Sequence, residues 1–282
     1  MPRLPLSPMA VWGVVKELRV AAEDFRPVVV AGAPEHARAV AEDLGRGGEP
    51  GAVRDVSGRT PEPYDVEGAR VLVHVLAGPE AGEEDERVLR LAGRKGVEVV
   101  AVVPGAQPGS VSDVPYVLAT DVVVVRPGLA VPLEEVAARV ADRAGEASHE
   151  LAARLPALRP AVVESIVRRF SVQNGVLGVA IFIPGADFPV LTLNQIRMVL
   201  RIAAAHGEDI GRDRAFEILS VVGAGLGFRT IARQVVGLVP GGGWAVKGGI
   251  AYTGTRALGE ASAAYFAAGG TKRLVGSVRS RS

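Results

Sequence analysis

The pattern of apolar and polar positions changes character halfway along the chain. Before residue 148, short β-branched runs alternate with helical patterns. Five runs predict strands: PVVVAG from Pro27, AVRDV from Ala52, ARVLVHVL from Ala69, VEVVAVVP from Val97 and DVVVVRP from Asp121. They are apolar at nearly every position, as strands are when helices cover both faces of a parallel sheet. Between them, EHARAVAEDLG, EEDERVLRLAGRKG and PLEEVAARVADRAG predict helices that stop at Gly45, Gly96 and Gly145. Residues 1–147 are therefore expected to form an α/β domain of doubly wound type. At its start, Ser7 as N-cap and Pro8 as first helical residue predict a helix over residues 7–24. Met9, Trp12, Val15 and Arg19 are expected along one side of it. Docking on the protein is the first expectation for this helix, and lying on a membrane the second.

From residue 148 to 282 the patterns are helical and rich in small residues, which predicts an all-α, glycine-rich domain with a basic tail. HELAARLPALRPAVVESIVRRFSVQNG links the two parts, with breaks expected at Pro156 and Pro160. A membrane-spanning helix needs about 20 mostly apolar residues. PGADFP interrupts the apolar run between Val172 and Ile196, Arg229 ends ILSVVGAGLGF, and Lys247 with three glycines interrupts the last candidate. Buried or interfacial helices, including re-entrant hairpins, fit this pattern better than full spans. Gly223, Gly225 and Gly227 would let helices approach closely.

Composition narrows the functional classes. Hydrophobic residues make up 48% and charged residues 22%, so the 282-residue chain can bury a large core and is not disordered. The absence of cysteine excludes disulfides, thiolate metal sites and a cysteine nucleophile, and suits a reducing cytoplasm. No secretory signal is read in the opening residues, because Lys16, Glu17 and Arg19 break the apolar run. The formal net charge of +1 conceals an asymmetry. Residues 1–147 carry 16 basic and 23 acidic side chains, and residues 148–282 carry 16 and 8. Either the halves attract each other, or the basic half meets an anionic surface. Nucleic acid is not the expected surface: aromatics are 5%, and none interleaves with a basic run.

The one stretch that invites a catalytic reading is VVVAGAPEHARAV from Val28. Laid on the phosphate-loop pattern G-x-x-x-x-G-K-[ST], Gly32 holds the first position, while Ala37, Arg38 and Ala39 replace the second glycine, the lysine and the hydroxyl. The second glycine lets backbone close round a phosphate, the lysine reaches the outer phosphates and the hydroxyl binds magnesium. Arg38 keeps a charge but not the geometry, and Ala39 cannot hold a metal. A helix N-terminus remains, where an anion can bind weakly. In RDVSG, Asp55 and Gly58 keep the spacing of a D-x-x-G step. After the fourth run, Pro104, Gly105, Ala106 and Gln107 occupy the positions of N-K-x-D.

With those residues in view, the first half resembles an Era-like GTPase domain of the P-loop class whose motifs have decayed. Gly32, His36, Arg38, Asp55 and Gly58 are the residues of a degenerate nucleotide site on that resemblance. The second half is similar to the YcjF-like helical group that follows GTPase domains. QNGVLGVAIFIPGADFPVLTLNQ and the later VPGGG carry that similarity, with Asn174, Asp187, Pro189, Asn194 and Gln195 as the motif. What the resemblance implies is association with the cytoplasmic face of a membrane in a non-catalytic partner or regulatory role; a separate reading is a soluble homo-oligomer whose glycine-rich helices pack between subunits. The alternative is an NTPase with a divergent phosphate loop built on Gly32, His36 and Arg38, with Asp55 holding a metal or water. No cofactor and no resident metal are expected.

Single residues add little chemistry. His36, His74, His149 and His206 show no metal-ligand spacing. His74 is expected in the core, and His206 at a helix end beside the last carbonyls. EEDER from Glu83 is expected as a solvated first helical turn, favoured by the helix dipole. Asp187 is expected to cap the next helix, with a buried functional carboxylate as the second reading.

Overall fold

The computed structural model describes residues 8–107, 109, 113–180, 188–222 and 244–270. The chain divides into two compact units, one of residues 24–162 and one formed by residues 1–23 together with 163–282. This division differs from a boundary at residue 147. The N-terminal helix belongs with the helical unit, and residues 148–162 belong with the sheet.

The first unit contains five parallel strands in the order β2-β1-β3-β4-β5. They are β1 (Val28–Gly32), β2 (Val53–Asp55), β3 (Val71–Val75), β4 (Glu98–Pro104) and β5 (Val122–Val125). All five fall within the predicted runs. Val28, Val29, Val30 and Ala31, like every residue of β3, are buried, which is why these strands show no alternation in sequence. The unit's helices are α2 (Pro34–Gly45), α3 (Pro63–Glu67), α4 (Glu83–Lys95), α5 (Leu133–Ala144) and α6 (Ser148–Arg154). α3 has five residues, too few for a helical period to appear in sequence. Gly96 ends α4 in the left-handed region at φ 65°, as expected. Gly45 is instead the last residue of α2, whose cap is Arg46.

The order places the topological switch point between β1 and β3, where open α/β sheets bind ligands beyond the carboxyl ends of the strands. Here the two strands stay paired to their last residues, Gly32 with Val75. Gly32 has φ +104°, and a Cβ there would lie 1.8 Å from the Val75 carbonyl oxygen. Glycine is the residue that permits this approach.

The second unit is helical. Its described helices are α1 (Pro8–Ala21), α7 (Arg159–Ala180), α8 (Phe188–Ala205), α9 (Arg212–Val222) and α10 (Trp244–Ala267). Pro160 does not break α7; it sits in the first turn, where proline is tolerated. α1 packs on α8 and α9. Its buried side is Val11, Val14, Val15 and Leu18, so the expected side of Met9, Trp12, Val15 and Arg19 is corrected: only Val15 faces inward. Glu17 bonds Arg201 at 2.6 Å from the adjoining surface. Gly248 lets α10 meet α7, because a Cβ there would be 2.4 Å from Val179 Cγ2 and 2.8 Å from the Gly175 oxygen. Gly223, Gly225 and Gly227 lie outside the described residues. Among the described residues, no helix is long and apolar enough to cross a membrane.

Replacing Gly32 by alanine should cost about 2–5 kcal/mol, from strain at positive φ and overpacking against Val75. Gly58 has open space around it and no positive φ, so Gly58→Ala should stay within about 0.5 kcal/mol. Urea denaturation of the two variants checks the pair.

Candidate functional site

The turn after β1 is short. α2 begins at Pro34, so Ala33 alone separates it from Gly32. The Ala33 amide donates to the Val75 oxygen at 2.8 Å, and Pro34 has no amide to offer. A phosphate cradle needs several loop amides pointing at one anion. Here the positions that would supply them are helical. Ala37 is buried with no exposed surface, and Arg38 and Ala39 are exposed on α2. His36 is half-buried in the first helical turn. The helix N-terminus has no side-chain cap, but Glu35 puts a negative charge there, which opposes an anion.

The other residues of the proposed nucleotide site are engaged elsewhere. Asp55 is exposed at the end of β2, and its Oδ1 accepts the Ser57 amide at 2.8 Å. That is an Asx turn, which ends the strand. Gly58 is exposed in the loop that follows. The loop is then tied down: Arg59 pairs with buried Asp65 at 2.6 Å, and Thr60 donates to Glu84, which also holds Arg87 at 2.9 Å. At the third motif, Pro104 ends β4 and the Ala106 amide donates to the Val125 oxygen at 3.2 Å. Gly32 and Asp55 thus lie at the ends of adjacent strands, and no described contact joins either to His36 or Arg38.

Sequence reasoning missed the buried pair nearest the switch point. His74 in β3 is flanked by Ala31 of β1 and Ala101 of β4 in the strand register. Two small neighbours leave room for an imidazole inside the sheet's packed face. His74 Nε2 meets Asp85 Oδ1 at 2.8 Å, and the other Asp85 oxygen accepts the Gly82 amide at 3.0 Å, capping α4. His74 is 1% exposed and Asp85 5%. The expectation that EEDER forms a solvated turn is corrected at this position: Glu83 and Glu84 are exposed, while Asp85 points into the core. Burial pushes its carboxyl up, but the His74 imidazole and the amides of Gly82 and Ala77 outweigh burial and hold it below the usual carboxylate range. Among the described residues, His74 Nδ1 has no hydrogen-bond partner. The pair anchors a helix start to the middle of the sheet, and its burial keeps substrate away from it.

In the helical unit, Asn174, Asn194 and Gln195 come together around Thr255. Asn174 of α7 is fully buried. Its Nδ2 donates to Thr255 Oγ1 of α10 at 2.9 Å, and its Oδ1 accepts from Asn194 Nδ2 of α8 at 3.0 Å. Gln195 Nε2 donates to the same Thr255 oxygen at 3.2 Å. Four side chains from three helices therefore form one hydrogen-bonded cluster, in which Asn174, Gln195 and Thr255 are buried and Asn194 is half-buried. Pro189 is exposed in the first turn of α8, apart from it, and Asp187 lies outside the described residues. Thr255 carried no signal in YTGTRALG, where a hydroxyl reads as another small helical residue. His206 behaves as expected, with Nδ1 against the Ile202 carbonyl at 2.8 Å.

Two measurements follow. Thr255→Val keeps the shape but leaves the Asn174 and Gln195 amides short of an acceptor, at a cost of about 1–3 kcal/mol. Thr253, exposed on the same helix, should tolerate valine within about 0.5 kcal/mol. Asp85→Asn should cost about 1–3 kcal/mol near neutral pH. A carboxyl held low in the folded state adds stability above its unfolded pKa, about 3.9, and loses it as pH falls from there through the folded value. The gap between the wild-type and Asp85→Asn urea midpoints should therefore narrow on acidification; a gap constant with pH counts against the pair's role.

No family model and no curated protein matches the chain, so the reading of these residues rests on their geometry.

Proposed function

We propose that the chain is a non-catalytic pseudo-GTPase. Its α/β unit keeps a nucleotide-binding architecture without the phosphate site, and its helical unit associates with a membrane surface or with a second copy. It acts by binding partners at the inner face of the cell membrane. The observation that carries this reading is the closed turn at Gly32. The amide of Ala33 is spent on Val75, and α2 starts at Pro34. An open phosphate loop over residues 33–39 would have to release the Ala33 amide from Val75 and unwind the first turns of α2.

Charge supports the second half of the proposal. The helical unit, residues 1–23 with 163–282, carries 17 basic and 9 acidic side chains, and residues 24–162 carry 15 and 22. A unit with a net +8 suits anionic lipid. Val172 and Val176, one turn apart on α7, are 49% and 62% exposed, which equally suits contact with a second copy.

A divergent nucleotide site is the second reading, favoured by the uncapped start of α2 beside half-buried His36. On that reading Arg38→Ala abolishes hydrolysis.

Flotation of the full chain with phosphatidylserine vesicles at low salt tests the membrane arm. Recovery in the floated fraction, falling as salt rises, is the expected result. A protein left wholly behind, and of defined oligomeric mass by light scattering, supports self-association instead.

A further inference from the structure

α1 is held by one side and dressed on the other. Val11, Val14, Val15 and Leu18, each 3% exposed or less, fix it to the helical unit. At 3.6 residues per turn, the line opposite them runs through Met9, Gly13, Lys16 and Val20. Met9 is 81% exposed and Val20 62%. Trp12, 41% exposed, lies beside this line with the Arg212 guanidinium 5.9 Å from its ring. Lys16 and Arg19 are exposed between the apolar side chains. Two acids lie nearby: Glu17 is paired with Arg201 at 2.6 Å and approaches Arg197 at 3.6 Å, and Glu23 follows the helix end. The side left outward by docking thus carries methionine, tryptophan and valine along the helix.

We propose that this outer face of α1 is the part of the helical unit that contacts anionic lipid, an inference that rests on the membrane-associating reading above. The chemistry favours lipid over a protein groove. The apolar side chains form a single line one helix long, with cations set between them. Met9 and Val20 can enter the boundary between headgroups and acyl chains, and an amphipathic indole ring is suited to the headgroup level. Lys16, Arg19 and Arg212 then face lipid phosphates, and the positive charge of the whole unit adds attraction. Glu17 does not oppose this, because Arg201 and Arg197 already neutralise it. The helix meets the bilayer from its docked position, so binding does not require α1 to leave α8 and α9.

The test uses the full chain with Trp244→Phe, which leaves Trp12 as the one indole, since the sequence has two tryptophans. Its emission is followed on adding vesicles of phosphatidylcholine with and without phosphatidylserine. The expected result is a blue shift on the phosphatidylserine vesicles alone, and a loss of at least about tenfold in partitioning for Lys16→Glu/Arg19→Glu. Both positions are exposed, so circular dichroism should be unchanged. Binding with unshifted Trp12 emission, and equal binding by the double variant, would overturn the α1 proposal while leaving membrane association standing. Absence of binding to every vesicle would overturn both. A Trp12 shift that grows with protein concentration in the absence of lipid would assign the face to a second copy and also overturn the proposal.

Discussion

Gly32 approaches the Val75 carbonyl so closely that even a methyl group has no place between them. The rest of the α/β unit is arranged around that contact. Pairing of β1 and β3 continues to their ends, the Ala33 amide closes onto the same carbonyl, and α2 starts at once. At the switch point, where a doubly wound sheet would take a ligand, the Ala33 amide is thus engaged by Val75 and the chain passes straight into α2. Around it, the polar side chains hold structure. Asp55 turns the chain after β2, Arg59 and Thr60 fasten that loop to α3 and α4, and Asp85 joins the α4 start to His74.

The helical unit solves a different problem. Its helices are rich in small residues and approach closely, so shape alone gives weak register. Asn174, Asn194, Gln195 and Thr255 supply it, since each finds its partner in one alignment of α7, α8 and α10. A slip by one turn would leave these amides without their partners, at about 1–3 kcal/mol for each buried group. The cluster is thus a device for a unique arrangement, with all four side chains occupied by one another.

Sequence pattern reached the sheet because its strands are buried on both faces. An uninterrupted run such as VLVHV has few other ways to fold, and the turn at Gly96 follows from glycine's freedom at positive φ. It did not reach α3, whose five residues cover little more than one helical turn. It also misjudged α1, where apolar residues lie on both sides and periodicity cannot say which side is docked. The Asp85 environment was illegible for a related reason. An acid in a charged run reads as solvated until the neighbouring strand places His74 above it. Asn174, Asn194 and Gln195 were marked only by the resemblance of the second half, but Thr255, which joins two of them, was disguised by its small size. Gly32 was legible as a special position, yet its partner across the strand pair was not, and that partner decides what the turn can do.

The account stands or falls on whether the turn after Gly32 accepts a nucleotide. Isothermal titration of the full chain with GTP and magnesium measures this directly. The closed turn predicts no saturable heat, with or without the metal. Binding at low micromolar affinity that depends on magnesium would contradict it, and would mean that the start of α2 opens to admit phosphate.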